Sequence, residues 1–518
     1  MGNKKNMNAA PLLAVMLLVV SSNQVLAQNL SLIEAARYQD AALVSQLLSD
    51  GADPNQQQTD GATALHWAAH REDLNLTQIL IEAGADVNAV NRLNATPLYL
   101  AAKGGNNELI KRLLDAGANP NVALEMGETP IMTASRAGAA AGVQYLIEAG
   151  ANVNTRETSR EQTALMWAAA QGHEEVARAL INAGAELEAR SKVRPMLMFA
   201  DATNGGAFDQ GVTENLGGFT ALLFAARAGH VEVANLLVTS GADINGLAGN
   251  GTSPLIVATH SGHSALAQML LVQGAEPDST EAGYNALHAA ILRGDRDTVA
   301  ALIANGADPN DRLEKANPVQ RASEDWALKT SLIGATPYWI AASFRESEIM
   351  QILAGAGADP LLTSQEQFAR QRERAARENP MPLEVIGGFE SSLQAAIKGD
   401  STRQRFYVTP NPDPAGEERL ALDSVKIAIT HGVNLNHTDF TGSTAIHDAA
   451  ARLLPNVIRA LAEGGADINA LNSSGRTPLD LATASERRPN FFGFDTSVPG
   501  QTATEVLLEF GALRSNQL

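Results

Sequence analysis

The chain has 518 residues, 45% of them hydrophobic, no cysteine and a formal charge of −19. Without cysteine it has no disulfides, no thiolate nucleophile, no cysteine-based zinc site and no thioether-linked haem. An acidic surface repels phosphate, which argues against nucleic acid and anionic membranes as partners, and it keeps a long chain soluble.

Lys4 and Lys5 open the chain, an apolar run follows from Pro11 to Val20, and Val25-Leu26-Ala27 ends it with aliphatic and small residues. This is the pattern of a secretory signal over residues 1–27, with cleavage expected after Ala27. The run is too short to span a bilayer, which needs about 20 residues. Removing it takes away two lysines and leaves a mature charge of −21 from Gln28 onward. The expected location is periplasmic or secreted, with no membrane insertion after cleavage.

Residues 28–58 carry Leu32, Ala35, Ala36, Leu43, Leu47 and Leu48 at helical spacing, then Gly51-Ala-Asp-Pro-Asn. A short motif then recurs: Thr63-Ala-Leu-His, Thr96-Pro-Leu-Tyr, Thr129-Pro-Ile-Met and Thr163-Ala-Leu-Met, at intervals of 33, 33 and 34 residues. It returns as Thr220-Ala-Leu-Leu, Ser253-Pro-Leu-Ile, Asn285-Ala-Leu-His, Thr336-Pro-Tyr-Trp, Ser391-Ser-Leu-Gln, Thr444-Ala-Ile-His and Thr477-Pro-Leu-Asp. Thr or Ser before a helix caps its free N–H groups, and Pro at the next position is tolerated because its missing N–H would be unpaired. Leu65, Ala68 and Ala69 then form a thin buried face. Gly172-His173 or Gly229-His230 turns the chain into a second helix, such as that of Val176, Ala179, Leu180 and Ile181. Gly184 supplies the positive φ that stops it, and an Ala-Asp-x-Asn stretch makes a turn-rich finger.

Period, helix start and finger together resemble the ankyrin repeat over nearly all of the mature chain. The resemblance implies an all-α ankyrin-repeat solenoid, each unit a helix–turn–helix plus a finger loop. About eleven units follow the N-terminal cap in a curved stack. It also implies a concave surface of fingers and first helices that binds another protein. Repeats are expected over 59–190, 217–310, 334–362 and 389–485, with a C-terminal capping unit over 486–518.

Five segments exceed the period: 191–216, 311–333, 363–388, 401–420 and 486–503. The first three lengthen finger loops, and the last two fall at helix–helix turns. Insertions in repeats tend to collect on a binding face. The first holds Phe199 and Phe208. The third holds Arg370, Arg372, Arg374 and Arg377, expected on a polar helix.

His66, His288 and His447 stand at the repeat's own His position, where the resemblance implies bonds to neighbouring backbone; His173, His230 and His263 stand at the helix turn. His260 and His263 have no third ligand in view, so no metal site is assigned. No phosphate loop, dinucleotide fingerprint or nucleophile elbow appears. Neither a cofactor nor an enzymatic activity is expected. Trp67, Trp167 and Phe224 follow the motif at a first-helix position. With Tyr99, Trp339, Phe199 and Phe208 they form the candidate protein-binding set, since Trp is an interface anchor. The expected function is an exported scaffold that binds a protein as a monomer. A secreted effector acting on another cell and an enzyme with its site in the insertions are the alternatives.

Overall fold

The structure, a computed structural model, describes residues 31–199, 211–315, 328, 332–365, 367–368, 385–399, 414–487 and 500–518. These residues are mostly helical, in agreement with the expected all-α solenoid. They divide into two compact units, one of residues 1–192, 220–225 and 232–242, the other of 193–219, 226–231 and 243–518.

In the first unit the helices come in pairs: α1 Leu32–Arg37 with α2 Ala41–Ser49, α3 Ala64–His70 with α4 Leu74–Glu82, and α5 Pro97–Gly104 with α6 Asn107–Asp115. Then follow α7 Pro130–Ala137 with α8 Ala140–Glu148 and α9 Ala164–Gln171 with α10 Glu174–Asn182. Two strands, β1 Arg194–Phe199 and β2 Gly211–Leu216, precede α11 Ala221–Ala228 and α12 Val231–Thr239. The second unit continues with α13 Pro254–His260, α14 Ser264–Val272, α15 Ala286–Arg293, α16 Arg296–Ala304, α17 Pro337–Ser343 and α18 Ser347–Gly355. Short strands β3 Gln367–Phe368 and β4 Val385–Gly387 follow, then α19 Ser392–Lys398 and α20 Pro414–Thr430. The described chain ends with α21 Ala445–Ala451, α22 Pro455–Glu463, α23 Pro478–Glu486 and α24 Ala503–Glu509.

The helix starts follow the motif. Thr96 Oγ1 accepts from the Tyr99 N–H at 3.1 Å, and Pro97, Pro130, Pro254, Pro337 and Pro478 occupy the first helical turn. Within each unit first helices pack against their neighbours: α3 against α1 and α5, α7 against α5 and α9, α15 against α13 and α17. Alanines make this possible, since Ala68, Ala69, Ala101, Ala102, Ala168 and Ala169 are fully buried, and a helix of small side chains lets backbones close up. Second helices form a parallel row in which Leu76, Leu80, Leu109, Leu113, Leu146 and Leu180 have no exposed surface.

The fingers are tied by a ladder of asparagines. Asn88 donates from Nδ2 to the Gly117 carbonyl at 3.1 Å, and its Oδ1 accepts the Asn119 N–H at 2.7 Å. Asn55, Asn121, Asn154 and Asn310 repeat both bonds onto the following finger. The finger asparagine is thus structural, as its periodicity suggested.

Two insertions depart from the loop expectation. Within 191–216, β1 and β2 pair antiparallel from Arg194↔Leu216 to Phe199↔Gly211. Within 363–388, β3 and β4 pair likewise, Gln367 opposite Gly387. Residues that run out from a finger and return to it bring two extended segments side by side, and backbone pairing then satisfies their N–H and C=O groups. The four arginines expected on a helix lie outside the described residues. In the 401–420 insertion, residues 414–420 belong to the first turns of α20. Insertion 311–333 is described at 311–315, 328 and 332–333, and 486–503 at 486–487 and 500–503.

Candidate functional site

Histidine at the fourth position of the helix-start motif does the same job at all three of its places. His66 takes the Thr63 N–H on Nδ1 at 3.1 Å and bonds the Ala95 carbonyl of the next repeat through Nε2 at 2.9 Å. Nδ1 must therefore be the acceptor and Nε2 the protonated nitrogen. His288 reaches Asp311 O at 3.1 Å and His447 reaches Arg476 O at 3.1 Å in the same way. Burial holds all three below the usual imidazole range, His288 down to about 4. They are neutral ties between repeats.

Tyr99 and Trp339 occupy this same fourth position and perform the same tie. Tyr99 donates its O–H to Glu128 at 3.0 Å, and the Trp339 indole N–H donates to the Glu390 carbonyl at 2.9 Å. Tyr99 is 7% exposed and Trp339 6%. Phe224 is 5% exposed. These three candidate residues therefore pack between repeats and offer almost no surface to a partner. For Tyr99 and Trp339 the sequence signal was present, since both align with His66. Phe208 lies outside the described residues, and Phe199 ends β1 opposite Gly211.

Trp67 and Trp167 differ. Both are half-buried, at one position on α3 and α9. The Trp67 indole donates to Gln58 Oε1 at 3.2 Å, and Arg37, from the preceding first helix, lies 5.0 Å from its ring centroid. Trp167 repeats the arrangement, with Gln162 Oε1 at 2.9 Å and Arg136 at 4.6 Å. A guanidinium over an indole face contributes about 0.5–1 kcal/mol at a partly exposed site and fixes the ring. Arg136 also donates to Glu128 at 3.3 Å, the carboxylate that accepts from Tyr99. Tyr99, Glu128, Arg136 and Trp167 are thus one connected network. Sequence reasoning missed Arg37 and Arg136, although each stands 30 or 31 residues before its tryptophan at the end of a first helix.

A buried charge cluster was also missed. Lys398, on α19, places Nζ 2.7 Å from Glu390, 3.1 Å from Asp439 and 3.5 Å from Asp448. Gln394 stands at the fourth motif position and replaces histidine there, accepting the Ser391 N–H and donating to Ser443 O at 2.9 Å. Burial pushes the Asp448 carboxyl up to about 7, opposed by Lys398 and reinforced by Asp439 and Glu390. Among the described residues no group of three or more His, Asp or Glu side chains is placed to hold a metal ion.

Family comparison agrees with this geometry. The family described as ankyrin repeats (3 copies) matches residues 32–123, 102–191 and 222–313, and ankyrin repeats (many copies) matches 429–482. The chain belongs to the ankyrin-repeat family. Its ankyrin segments are 37% identical over 114 residues to Neurogenic locus notch homolog protein 1 of Danio rerio. That match covers 21% of this chain and 4% of the relative. They are 37% identical over 65 residues to the B-cell lymphoma 3 protein homolog of Mus musculus, 12% of this chain and 14% of that one. The chain spans only a small part of either relative. Ankyrin repeats are in general protein–protein interaction modules, and this one carries the family's inter-repeat ties. No helix among its described residues is long and apolar enough to cross a membrane.

Proposed function

We propose that the chain is an exported ankyrin scaffold that recognises another protein through the face carrying its first helices and fingers. The observation that supports the binding face is the pair Trp67 and Trp167. Each is half-exposed, pinned by a glutamine and an arginine, and shown at the same position of its repeat. A rigid, half-buried aromatic beside a cation has the character of an interface anchor: it brings contact area at small entropic cost. Export rests on the Lys4–Ala27 pattern, which lies outside the described residues.

The test uses affinity capture with the mature chain and with a Trp67→Ala, Trp167→Ala double variant of unchanged helical signal and melting behaviour. Specific partners captured by the parent should be lost or weakened at least tenfold in the double variant. Equal capture by both would remove the tryptophans from the interface. Fractionation of the producing cell tests export separately: the product should begin at Gln28 and leave the cytosol. Recovery in the medium rather than the periplasm would favour an effector that acts on another cell.

A further inference from the structure

The first helices of the first compact unit carry a row of basic side chains. Arg37 on α1, His70 on α3, Lys103 on α5 and Arg136 on α7 stand 33 residues apart, and all four are exposed. Their backbone places are equivalent, because a residue of positive φ follows two positions later each time: Gln39, Glu72, Gly105 and Gly138. Helices α1, α3, α5 and α7 pack side by side in that order. The row therefore crosses the unit in steps of one helix spacing, about 8–10 Å.

Negative charge is scarce along this row. In α1, α3, α5, α7 and α9 the only carboxylate is Glu34, which accepts the Ser31 N–H at 3.0 Å and belongs to the cap of α1. Lys103 makes no ion pair among the described residues. Arg37 and His70 meet the Trp67 ring rather than an acid, at 5.0 and 5.9 Å. Arg136 pairs with Glu128 at 3.3 Å. Arg71 and Glu72 follow His70 and offset one another. The finger carboxylates Asp60 and Glu157 accept N–H groups of their own loops. Arg37, Lys103 and Arg136 thus outnumber Glu34 and Glu128, on a chain whose formal charge is −19. Apolar surface runs beside the cations. Half-buried Trp67 and Leu100 stand three residues before His70 and Lys103, hence on the same helix face, and Arg136 lies 4.6 Å from the ring of Trp167.

We infer that this row receives an acidic segment of the partner protein, extended as a polyproline II helix with a carboxylate at every third residue. That helix advances about 9 Å in three residues and returns them to one side, so successive carboxylates meet successive first helices. A β-strand presents one side every ~6.6 Å and falls out of step. The residues between carboxylates pack on Trp67, Leu100 and Trp167. One exposed ion pair is weak, so the selectivity comes from several held in step. A nucleic acid would offer similar charge, but the acidic remainder of the chain repels it. The inference rests on the reading that the first-helix face binds a protein, and it names that partner's chemistry.

The test titrates the mature chain by calorimetry, at 0.1 M salt, with a blocked peptide of four Glu-Pro-Ala triplets. It should bind at least tenfold more tightly than its Gln-Pro-Ala counterpart, and 1 M salt should erase the difference. Lys103→Glu, in a variant of unchanged melting, should weaken the acidic peptide at least fivefold. Lys111→Glu makes the same charge change on α6, the second helix of the same repeat, and should leave binding within twofold. Glu and Gln peptides within twofold of each other would overturn the inference. So would equal binding of a peptide with its four glutamates gathered at one end, or an effect of Lys103→Glu no larger than that of Lys111→Glu. Tighter binding of a twelve-nucleotide oligothymidylate would overturn it in favour of a phosphate polymer. Partner capture lost in the Trp67→Ala, Trp167→Ala variant but kept in Lys103→Glu would leave the face as an interface and overturn the acidic segment alone.

Discussion

Replacing Lys398 by methionine removes the ammonium on which Glu390, Asp439 and Asp448 converge, while keeping an unbranched stem of similar volume. Asp439 and Asp448 have side chains only 3% and 15% exposed, so water cannot take over the role of the ammonium. Breaking a buried pair by deleting one partner costs about 3–5 kcal/mol. Lys398 is itself 27% exposed, which places the expected loss at the low end, about 3 kcal/mol at pH 8. The pH dependence has a definite sign. The Asp448 carboxyl is raised from 3.8 to about 7, so its contribution to stability is complete below 3.8 and is lost as pH rises through 7. Without Lys398, which lowers it, Asp448 is neutral over a still wider range. The penalty of Lys398→Met should therefore shrink to about half at pH 5.5, where fewer like charges remain. Asp448→Asn provides the complement: its stability relative to the parent should improve from pH 4 to pH 8. Repeats unfold locally, so the assay is hydrogen exchange of the α19 and α21 amides at several pH values, alongside urea denaturation. A loss under about 1 kcal/mol at pH 8, or a penalty independent of pH, would refute the reasoning.

The finger ladder is imperfect at Asp278, which accepts the Asp308 N–H at 3.0 Å but as a carboxylate has no proton for the carbonyl that asparagine reaches elsewhere. Asp278→Asn should stabilise by about 0.5 kcal/mol at pH 7, the low end for a hydrogen bond because the finger is exposed. Its carboxyl is raised from 3.8 by burial and, less, by the Asp308 charge, so in urea titrations the gain should shrink as pH falls toward 3.8 and be smallest below it. Gly138 and Gly184 both have positive φ, but a Cβ on Gly138 would lie 2.8 Å from the His173 ring, whereas nothing lies within 4 Å of Gly184. Gly184→Ala should cost about 1 kcal/mol of backbone strain in denaturation, and Gly138→Ala about 2, because His173 must also release the Arg136 carbonyl.

The periodic part of the fold was legible because ankyrin repeats touch only their neighbours. The bonds from His66 to Ala95 and from Asn88 to Gly117 each span 29 residues, about one period, so the pattern that forms a unit also encodes how units join. Gly229 was readable as a turn glycine from its place in the repeat, and Gly138 stands at the matching place. That each also makes room for the histidine of the next repeat required coordinates. The binding candidates were less legible. Exposure at one motif position varies from half-open at Trp67 to closed at Phe224, and both residues look alike in sequence. Tyr99 and Trp339 illustrate the opposite case, since their alignment with His66 was present in the sequence, but they were expected at a binding surface and the structure places them as ties.

By itself the sequence determined the repeat, its helix caps, its ladder of fingers and the places where the period breaks, since all of these are local or one period long. Tertiary structure alone decided what the breaks do. The insertion 191–216 pairs into a hairpin and closes over α13, which lies some forty residues on, and no periodicity carries that contact. The charge cluster gathers Glu390, Lys398, Asp439 and Asp448 across an insertion of irregular length. Electrostatic neighbours and cavities depend on distances in space, and where the repeat is interrupted, separation along the chain no longer predicts them.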